Sequence, residues 1–330
     1  MSEKKSQLRQ DLVSGDWIAI VPGRSNRPHQ LLKKSVKRKI SPKSSCPFEN
    51  PQKSGHEKAI LSYGDKDWDL QIIENKYPAF QHKNICGVIA RSGPYSVSET
   101  IGHHEILITR DHNGNFSDLS RGQARQVLEA LRDRYLMLLN DACIAYVSMF
   151  QNWGPSAGAS IYHPHYQLIA APIVPPDVMH SLLGSSKYFS ENKKCVHCVM
   201  IDWEIKNKKR IVYENAGAVA FTPFVSKSAF EVRIFPKKHL SYFENTLDIE
   251  MDHISDALQG VLKKIGKNLK DPDYNLFIHT SPIKDKNKYP MYHWHIEVIP
   301  RISKYAGFEL GTGVEINSVD PDDAAALLRK

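Results

Sequence analysis

The sequence contains no long hydrophobic run. No stretch reaches the roughly 18 consecutive apolar residues that cross a bilayer as a helix. The first ten residues are mostly polar or charged, unlike the apolar segment of a secretory leader. We therefore expect a protein that has no membrane partner and resides in the cytoplasm.

Cysteine is also scarce. The chain of 330 residues has 5 cysteines, and this odd number argues against a disulfide framework, leaving metal ligation or free thiols. Cys86 and Cys143 belong to no metal-binding pattern. We expect both to be small buried side chains.

Neither the composition nor the charge is extreme. Hydrophobic residues make up 41% and charged residues 24% of the chain, which excludes a disordered or fibrous protein. Much of the net charge of +8 comes from basic residues between positions 33 and 43. Neighbouring serine and proline favour a solvated loop there over a nucleic-acid surface. A basic protein also suits anionic, phosphorylated substrates.

The first half of the chain shows an ordered series of patterns. Residues 72–75 and 105–108 have the apolar character of strands, and apolar residues at helical spacing follow over 127–139. A further strand is predicted at 145–150. A loop then leads to His163, which opens a short segment rich in histidine.

The second half repeats this order. After Cys195, the sequence predicts strands at 230–234 and 274–278, separated by a helix over 254–265, and the series ends at His293. One plan used twice predicts an α+β fold of two related halves, residues 1–190 and 191–330. Each half is expected to be an antiparallel sheet with a crossing helix, and the two are expected to merge into one continuous structure.

Chemistry is concentrated in the segment that closes the first half. His163, His165 and Gln167 are two residues apart, so they face the same side of an extended strand. A neutral imidazole is nucleophilic near pH 7 and forms a reactive phosphoramidate. Gln167 can hydrogen-bond a phosphoryl oxygen but cannot act as a proton donor in the way a third histidine would. The segment therefore favours phosphoryl or nucleotidyl transfer over hydrolysis, with an exposed histidine as the nucleophile.

Four residues of the second half form a candidate zinc site, which we call the second-half metal set: Cys195, Cys198, His239 and His293. Two thiolates and two imidazoles are a usual tetrahedral zinc set. A thioredoxin-like redox pair is the alternative, but the local sequence lacks the expected setting.

The equivalent positions of the first half form the first-half metal set: Cys46, Glu49, His112 and His163. A carboxylate can bind zinc, yet Glu49 in place of a second cysteine predicts a weaker or partly filled site. A lone buried Cys46 is the alternative. Together the two sets predict one or two zinc ions per chain.

At these residues the chain resembles the galactose-1-phosphate uridylyltransferase family of the histidine-triad superfamily, which is built from two such halves. The resemblance rests mainly on the His163–Gln167 segment, with further matches at 16–18, 24–28, 154–160 and 307–309. It implies that His165 attacks the α-phosphorus of UDP-glucose and that Gln167 steadies the phosphoryl oxygens. It also implies that His163 belongs to a zinc site and that the protein is a homodimer.

The resemblance further implies a set of substrate contacts. Basic residues would hold the sugar phosphate, glycine, serine and asparagine would line the nucleotide loop, and a C-terminal segment would contact the sugar. These residues are Arg24, Arg27, Asn75, Lys76, Phe150, Asn152, Gly158, Ser160, Lys304, Tyr305, Phe308 and Glu309.

Two enzyme readings follow from the family, and one reading comes from another class. The leading one is a ping-pong transferase that passes a uridylyl group from UDP-glucose to galactose 1-phosphate. The Cys195-x-x-Cys198 pair and the segments 311–313 and 316–317 also resemble plant ADP-glucose phosphorylases and many bacterial uridylyltransferases. In the phosphorylase reading, an adenylyl group would pass to inorganic phosphate. The reading from another class is a zinc-stabilised, basic nucleic-acid-binding module, which ranks far below because it leaves His163–Gln167 unexplained.

The enterobacterial members of the family also carry an iron site. His279, His293 and His295 lie near the positions of its ligands, but the sequence has no matching glutamate.

Overall fold

A computed structural model describes residues 5–26, 38–303 and 306–330. The strands are β1 (Gln7–Gln10), β2 (Trp17–Ile20), β3 (Leu61–Tyr63), β4 (Leu70–Glu74), β5 (Ala90–Ser92), β6 (Tyr95–Val97), β7 (His103–Thr109), β8 (Tyr146–Trp153), β9 (His165–Ala171), β10 (Ile211–Glu214), β11 (Ala218–Phe221), β12 (Val232–Pro236), β13 (Tyr274–His279), β14 (His295–Pro300) and β15 (Ile316–Asn317). The α-helices are α1 (Arg121–Leu138), α2 (Pro176–Asn192), α3 (Val196–Asn207), α4 (Asp248–Leu269), α5 (Gly307–Thr312) and α6 (Pro321–Leu328).

One antiparallel sheet runs through both halves. Its strand order is β10-β11-β12-β14-β13-β8-β9-β7-β4-β3. Read outward from the centre, the five strands of each half follow the same order along the chain, and the halves meet where β8 pairs with β13, with Phe150 opposite Phe277. The expected α+β fold of two related halves in one continuous structure is confirmed.

Helices α1 and α4 pack together against one face of this sheet. The side chain of Ser120 accepts a hydrogen bond from the backbone N–H of Gln123 and starts α1. The residues predicted to form the apolar stripes are buried in one core: Val127, Leu128, Leu131, Tyr135 and Leu138 of α1, with Ile254, Leu258, Val261, Leu262 and Ile265 of α4. Leu139, also predicted there, caps the end of α1 and is partly buried against this core. Because each such side chain contributes about 1.5–3 kcal/mol on burial, these stripes hold the helices to the sheet.

Strand β7 shows how the two faces of the sheet differ. Leu107 joins the core beneath α1, whereas Ile106 and Ile108 pack on the opposite face with Phe48 and Cys46. This alternation follows from the two-residue period of a strand. The face opposite the helices therefore carries the segments that the sequence predicts to be catalytic or metal-binding.

The C-terminal helix α6 is fixed by a buried guanidinium. Arg210 forms ion pairs of 2.7 Å with Glu204 of α3 and 3.0 Å with Asp322 of α6. Hydrogen bonds with Lys209 and Arg210 outweigh the effect of burial, so the pKa of Asp322 is lowered. This cluster joins α3 and α6 to the strand that begins at Ile211.

A disulfide joins Cys86 to Cys143. The expectation that both residues are free and buried was wrong, since Cys86 is exposed and Cys143 is partly exposed. The bridge ties the segment before β5 to the turn before β8. It closes a loop of 57 residues, for which chain entropy alone corresponds to about 4 kcal/mol of stabilisation.

The remaining expectations about organisation have different outcomes. Among the described residues, no helix has both the length and the apolar character needed to cross a membrane. The proposed boundary between residues 190 and 191 falls in the last turn of α2. Because one sheet is shared by both halves, that boundary stays a prediction.

Candidate active site

His165 is the first residue of β9 and its proton position is set by the backbone. Its Nδ1 donates to the carbonyl oxygen of His163 at 2.9 Å. In the neutral ring this leaves Nε2 with a lone pair. Burial lowers the pKa of His165, so the imidazole is neutral near pH 7. A neutral ring with a free Nε2 is the form that attacks phosphorus.

The surroundings of His165 differ from the expectation in one respect. The side chain is only 6% exposed, not the exposed imidazole that the sequence suggested. The ring of Phe48 covers it, with 5.3 Å between ring centroids. Phe48 precedes Glu49 of the first-half metal set, so the loop that carries this set also shapes the surroundings of the imidazole.

Gln167 lies two residues along β9 and is held by His104, a residue that the sequence analysis missed. The backbone N–H of Ala79 donates to His104 Nδ1 at 3.0 Å, so the proton of the neutral ring sits on Nε2. His104 Nε2 lies 2.9 Å from Gln167 Oε1 and donates to it. The amide oxygen of Gln167 is thereby occupied, and its NH₂ group is left to donate to a ligand.

Asn75 belongs to the same group. Its Oδ1 accepts from the backbone N–H of Tyr77 at 2.9 Å, and its Nδ2 lies 3.0 Å from His104 Nε2. The neighbouring Lys76 is exposed, with Nζ 3.4 Å from the carbonyl oxygen of Ser54. The structure thus brings Asn75 to Gln167 through His104 and leaves Lys76 on the surface.

Strand β8 supplies the next two predicted residues. Phe150 lies opposite Gln167 in the register of β8 and β9. Asn152 Oδ1 accepts from the Nδ2 group of Asn275 on β13 at 2.8 Å. Both residues alternate with the core residues Met149 and Trp153, so they face the same side of the sheet as His165.

The loop after β8 carries Gly158 and Ser160. Gly158 has a φ of 93°, a left-handed conformation that favours glycine. Ser160 is exposed. Both therefore lie on an open loop between β8 and the segment that carries His165.

The other predicted substrate residues that the structure describes lie in separate segments, a short turn and helix α5. Arg24 is half-buried in a short 3-10 turn, and Phe308 is exposed on α5. The Oε2 atom of Glu309 accepts from the backbone N–H of Ala306 at 3.0 Å, a local contact at the start of α5. Arg27, Lys304 and Tyr305 lie outside the described residues.

The donor atoms of the second-half metal set converge. The Nδ1 atoms of His239 and His293 lie 3.3 Å and 3.5 Å from Cys198 Sγ. Their Nε2 atoms face the carbonyl oxygens of Pro290 and Pro236 at 2.7 Å and 3.0 Å. Donation to these oxygens turns both Nδ1 lone pairs toward the sulfurs, an outer contact typical of zinc ligands. With Cys195, these residues fit a tetrahedral zinc ion.

The first-half metal set has the same construction. His112 and His163 each direct Nε2 at a backbone carbonyl oxygen at 2.7 Å, and His163 Nδ1 lies 3.5 Å from Cys46 Sγ. His112 Nδ1 and Glu49 Oε1 are 2.9 Å apart, yet both atoms are buried and neither makes an aligned hydrogen bond. Two orphaned polar atoms that face each other fit a bound cation, because burial without a partner is costly. This set also fits zinc.

The second half repeats the nucleophile position with different neighbours. His295 Nδ1 lies 3.1 Å from the carbonyl oxygen of His293, as His165 does from that of His163. However, the ring of His295 stacks between Phe235 and His279, with centroids 4.7 Å and 4.9 Å away. Glu297 replaces the glutamine and pairs with Arg233 at 3.3 Å.

His295 also belongs to a further group of potential metal ligands. His279, His295 and Glu297 come together, whereas His293 belongs to the second-half metal set. The three histidines that the resemblance placed near an iron site are therefore divided between two groups.

Comparisons with known proteins agree with this architecture. Residues 1–175 match the family described as galactose-1-phosphate uridyl transferase, N-terminal domain, and residues 101–329 match a domain of unknown function, DUF4921. The chain is 34% identical over 335 residues to an ADP-glucose phosphorylase of Arabidopsis thaliana, covering 100% of this chain and 94% of that protein. It is 27% identical to a galactose-1-phosphate uridylyltransferase of Thermotoga maritima, covering 98% of both.

A solved structure has the same fold. The Arabidopsis thaliana ADP-glucose phosphorylase with bound ADP-glucose superimposes with a TM-score of 0.84 at 32% identity, covering 99% of each chain. The fold and the site define a nucleotidyltransferase. The chain belongs to the galactose-1-phosphate uridyl transferase family.

Proposed function

We propose that the protein transfers an adenylyl group from ADP-glucose to inorganic phosphate through a covalent intermediate on His165. The observation that carries this proposal is the hydrogen bond from His165 Nδ1 to the carbonyl oxygen of His163, which leaves a nucleophilic Nε2. The loop and strand residues around it supply polar groups for a nucleotide.

The reaction has two displacements at the same phosphorus. In the first, Nε2 attacks the α-phosphorus of ADP-glucose, the bond to the bridging oxygen breaks, and glucose 1-phosphate leaves. In the second, an oxygen of inorganic phosphate attacks the adenylyl phosphorus, the bond to Nε2 breaks, and ADP leaves. The covalent intermediate formed by the first displacement is a phosphoramidate, which keeps enough reactivity for the second step.

Gln167 and His104 have linked roles in this mechanism. The NH₂ group of Gln167 donates to a non-bridging oxygen of the phosphoryl group, where charge increases during attack. His104 holds the amide oxygen and so fixes which end of the amide faces the substrate. His104 is therefore a positioning residue, and Gln167 is a catalytic one.

The remaining substrate contacts are proposals that follow the family resemblance. Asn75, Phe150 and Asn152 lie around the Gln167 position and suit a base and ribose. Gly158 and Ser160 belong to the loop that would approach the phosphates. Arg24, Arg27, Lys76, Lys304, Tyr305, Phe308 and Glu309 complete the proposed set.

The choice of adenylyl donor rests on similarity. The chain is 34% identical to an ADP-glucose phosphorylase and 27% identical to a galactose-1-phosphate uridylyltransferase, each over nearly the whole chain. The second candidate, which the sequence analysis preferred, is uridylyl transfer from UDP-glucose to galactose 1-phosphate. Its support is the match of residues 1–175 to the uridyl transferase family.

Zinc and assembly complete the proposal. Zinc held by the two metal sets would be structural, because each set fills a tetrahedral ion with four protein atoms and leaves no position for substrate. We retain the predictions of a homodimer and a cytoplasmic location.

Intact-protein mass spectrometry separates the candidates. The protein is incubated with ADP-glucose or UDP-glucose, and the covalent adduct is isolated and mixed with inorganic phosphate or galactose 1-phosphate. We expect an adenylyl adduct that inorganic phosphate alone discharges. A uridylyl adduct that only galactose 1-phosphate discharges would replace the first candidate with the second.

A variant tests the covalent residue itself. His165→Ala should form no adduct and lose several orders of magnitude in rate, as is usual for a covalent nucleophile. His180→Ala, at an exposed histidine on α2, is the matched control and should react like the parent. Because His165 is buried, circular dichroism and zinc content should be compared for all three proteins. A folded His165→Ala protein with near-parental rate would refute the mechanism.

A further inference from the structure

A fourth group of metal-ligating side chains lies on the helix side of the first half, away from His165. It consists of His82, His103 and Asp141, whose donor atoms all lie within 4.8 Å of one another. His103 Nε2 is 2.9 Å from Asp141 Oδ2, and the rings of His82 and His103 stack with centroids 4.6 Å apart. Three separate segments of the chain meet there.

Backbone contacts hold each of these segments in place. Asp141 Oδ1 accepts from the backbone N–H of Cys143 at 2.9 Å, which leaves Oδ2 for another partner. Hydrogen bonds of 3.0 Å join the backbone of Gln81 to Thr100 and Gly102, so His82 is carried beside the start of β7. The Cys86–Cys143 disulfide adds a covalent link between the segments of His82 and Asp141. The donors are thus positioned by the fold before any ion binds.

The other nitrogen of His103 has the partner that metal-binding histidines usually have. His103 Nδ1 lies 3.5 Å from Glu105 Oε1. Two hydrogen bonds of 2.6 Å and 2.7 Å from Arg134 hold that carboxylate in turn. A carboxylate behind a ligating imidazole orients the ring and increases its basicity toward a metal ion.

We propose that His82, His103 and Asp141 bind a zinc ion, separate from the two cysteine-containing sets. Two imidazoles and one carboxylate are the ligands of many three-residue zinc sites, which keep a water molecule in the fourth position. The ion takes the place of the proton that His103 Nε2 directs at Asp141, and that proton passes to solvent. Because His82 is exposed and the set has no thiolate, zinc exchanges more readily there than at the cysteine-containing sets.

The site has a structural consequence for the candidate active site. His82 follows Ala79 by three residues, and the backbone N–H of Ala79 fixes the tautomer of His104. Bound zinc therefore anchors the segment that orients Gln167, at a position between that contact and Cys86 of the disulfide.

Calorimetric titration with zinc tests the proposal. Untagged protein is dialysed into metal-free buffer without reductant, so that the disulfide and the tightly held zinc remain, and is then titrated with zinc chloride. We expect one exchangeable zinc per chain in the parent, bound at least roughly 10–100-fold more weakly in both His82→Ala and Asp141→Asn, because loss of an outer contact alone typically costs that much affinity. Asn at position 141 keeps the Oδ1 contact with Cys143 and removes the charged ligand. His180→Ala should titrate like the parent.

Two results would overturn the proposal. One is a parent protein that takes up no zinc beyond what it retains after dialysis. The other is a pair of folded variants, with parental melting temperatures, that bind zinc as the parent does. Both readouts measure binding alone, so they are independent of whether the protein transfers a nucleotidyl group.

Discussion

Replacing His104 with phenylalanine tests the role assigned to its two hydrogen bonds. Phenylalanine keeps a ring of similar shape and removes the contacts to Ala79 and Gln167. A neutral hydrogen bond of this kind contributes about 0.5–1.5 kcal/mol net. If that free energy holds the amide of Gln167 in its productive orientation, kcat/KM should fall roughly 2- to 12-fold.

The effect should depend on Gln167. Gln167→Ala removes a hydrogen bond to a charged phosphoryl group, which corresponds to about 1.5–3 kcal/mol, or roughly 10- to 150-fold in rate. Because His104 is argued to act through Gln167, adding His104→Phe to Gln167→Ala should cost little more. The two substitutions should therefore be strongly non-additive.

The assay is a single-turnover measurement of adduct formation, followed by quenching and intact mass, for the parent, both single variants and the double variant. Thermal unfolding of each protein controls for the lost Ala79 contact, which should lower stability slightly. Additive losses in rate would refute the positioning role. An unchanged rate in a folded His104→Phe protein would refute it as well.

Two further predictions concern metal affinity and pH. Glu49→Cys converts the first-half metal set to two thiolates and two imidazoles. Removing zinc from this set should therefore need roughly tenfold or more chelator than in the parent, as followed by elemental analysis. Equal loss of zinc from parent and variant would contradict the assignment. Asp322→Asn should lower the free energy of unfolding by about 1.5–3 kcal/mol, because Arg210 loses a charged partner. The folded-state pKa of Asp322 is lowered, so its contribution is complete above the unfolded value of about 3.9 and is lost as pH falls through the folded value. Urea titrations should therefore show a constant difference in the free energy of unfolding between the parent and Asp322→Asn from pH 7 to 5. This difference should narrow below about pH 4, and a difference that widens there would contradict the argument.

Much of the fold was predictable because its signals are local. Five apolar residues of α1, among them Val127 and Leu131, recur at helical spacing and are buried in the core. The repeated order of elements also predicted the shared sheet. These local patterns do not predict that β8 pairs with β13, because that pairing depends on which edge strand of each half-sheet is left unpaired.

The candidate site was predictable where spacing alone determines the geometry. His165 and Gln167 face one side because they are two apart on a strand, and both metal sets follow from the repeat. His104 was missed because its partners Ala79 and Gln167 come from elsewhere in the chain. The available signal was strand alternation, which places His104 on the same face as Ile106 and Ile108.

Two expectations failed for a related reason. The burial of His165 depends on Phe48, which lies more than a hundred residues away and covers the ring. The disulfide depends on a segment that folds over the sheet and brings Cys86 to Cys143. Counting cysteines cannot detect such a pair, because sequence separation carries no information about which loops meet.

The bond from His165 to the carbonyl oxygen of His163 has a counterpart in the second half, where His295 makes the same contact with His293. The backbone geometry that the two halves share therefore sets the same tautomer in both copies of the repeat, and the neighbouring side chains determine what each ring can do. One copy has an amide neighbour, Gln167, and the other has aromatic stacking and an internal Glu297–Arg233 pair.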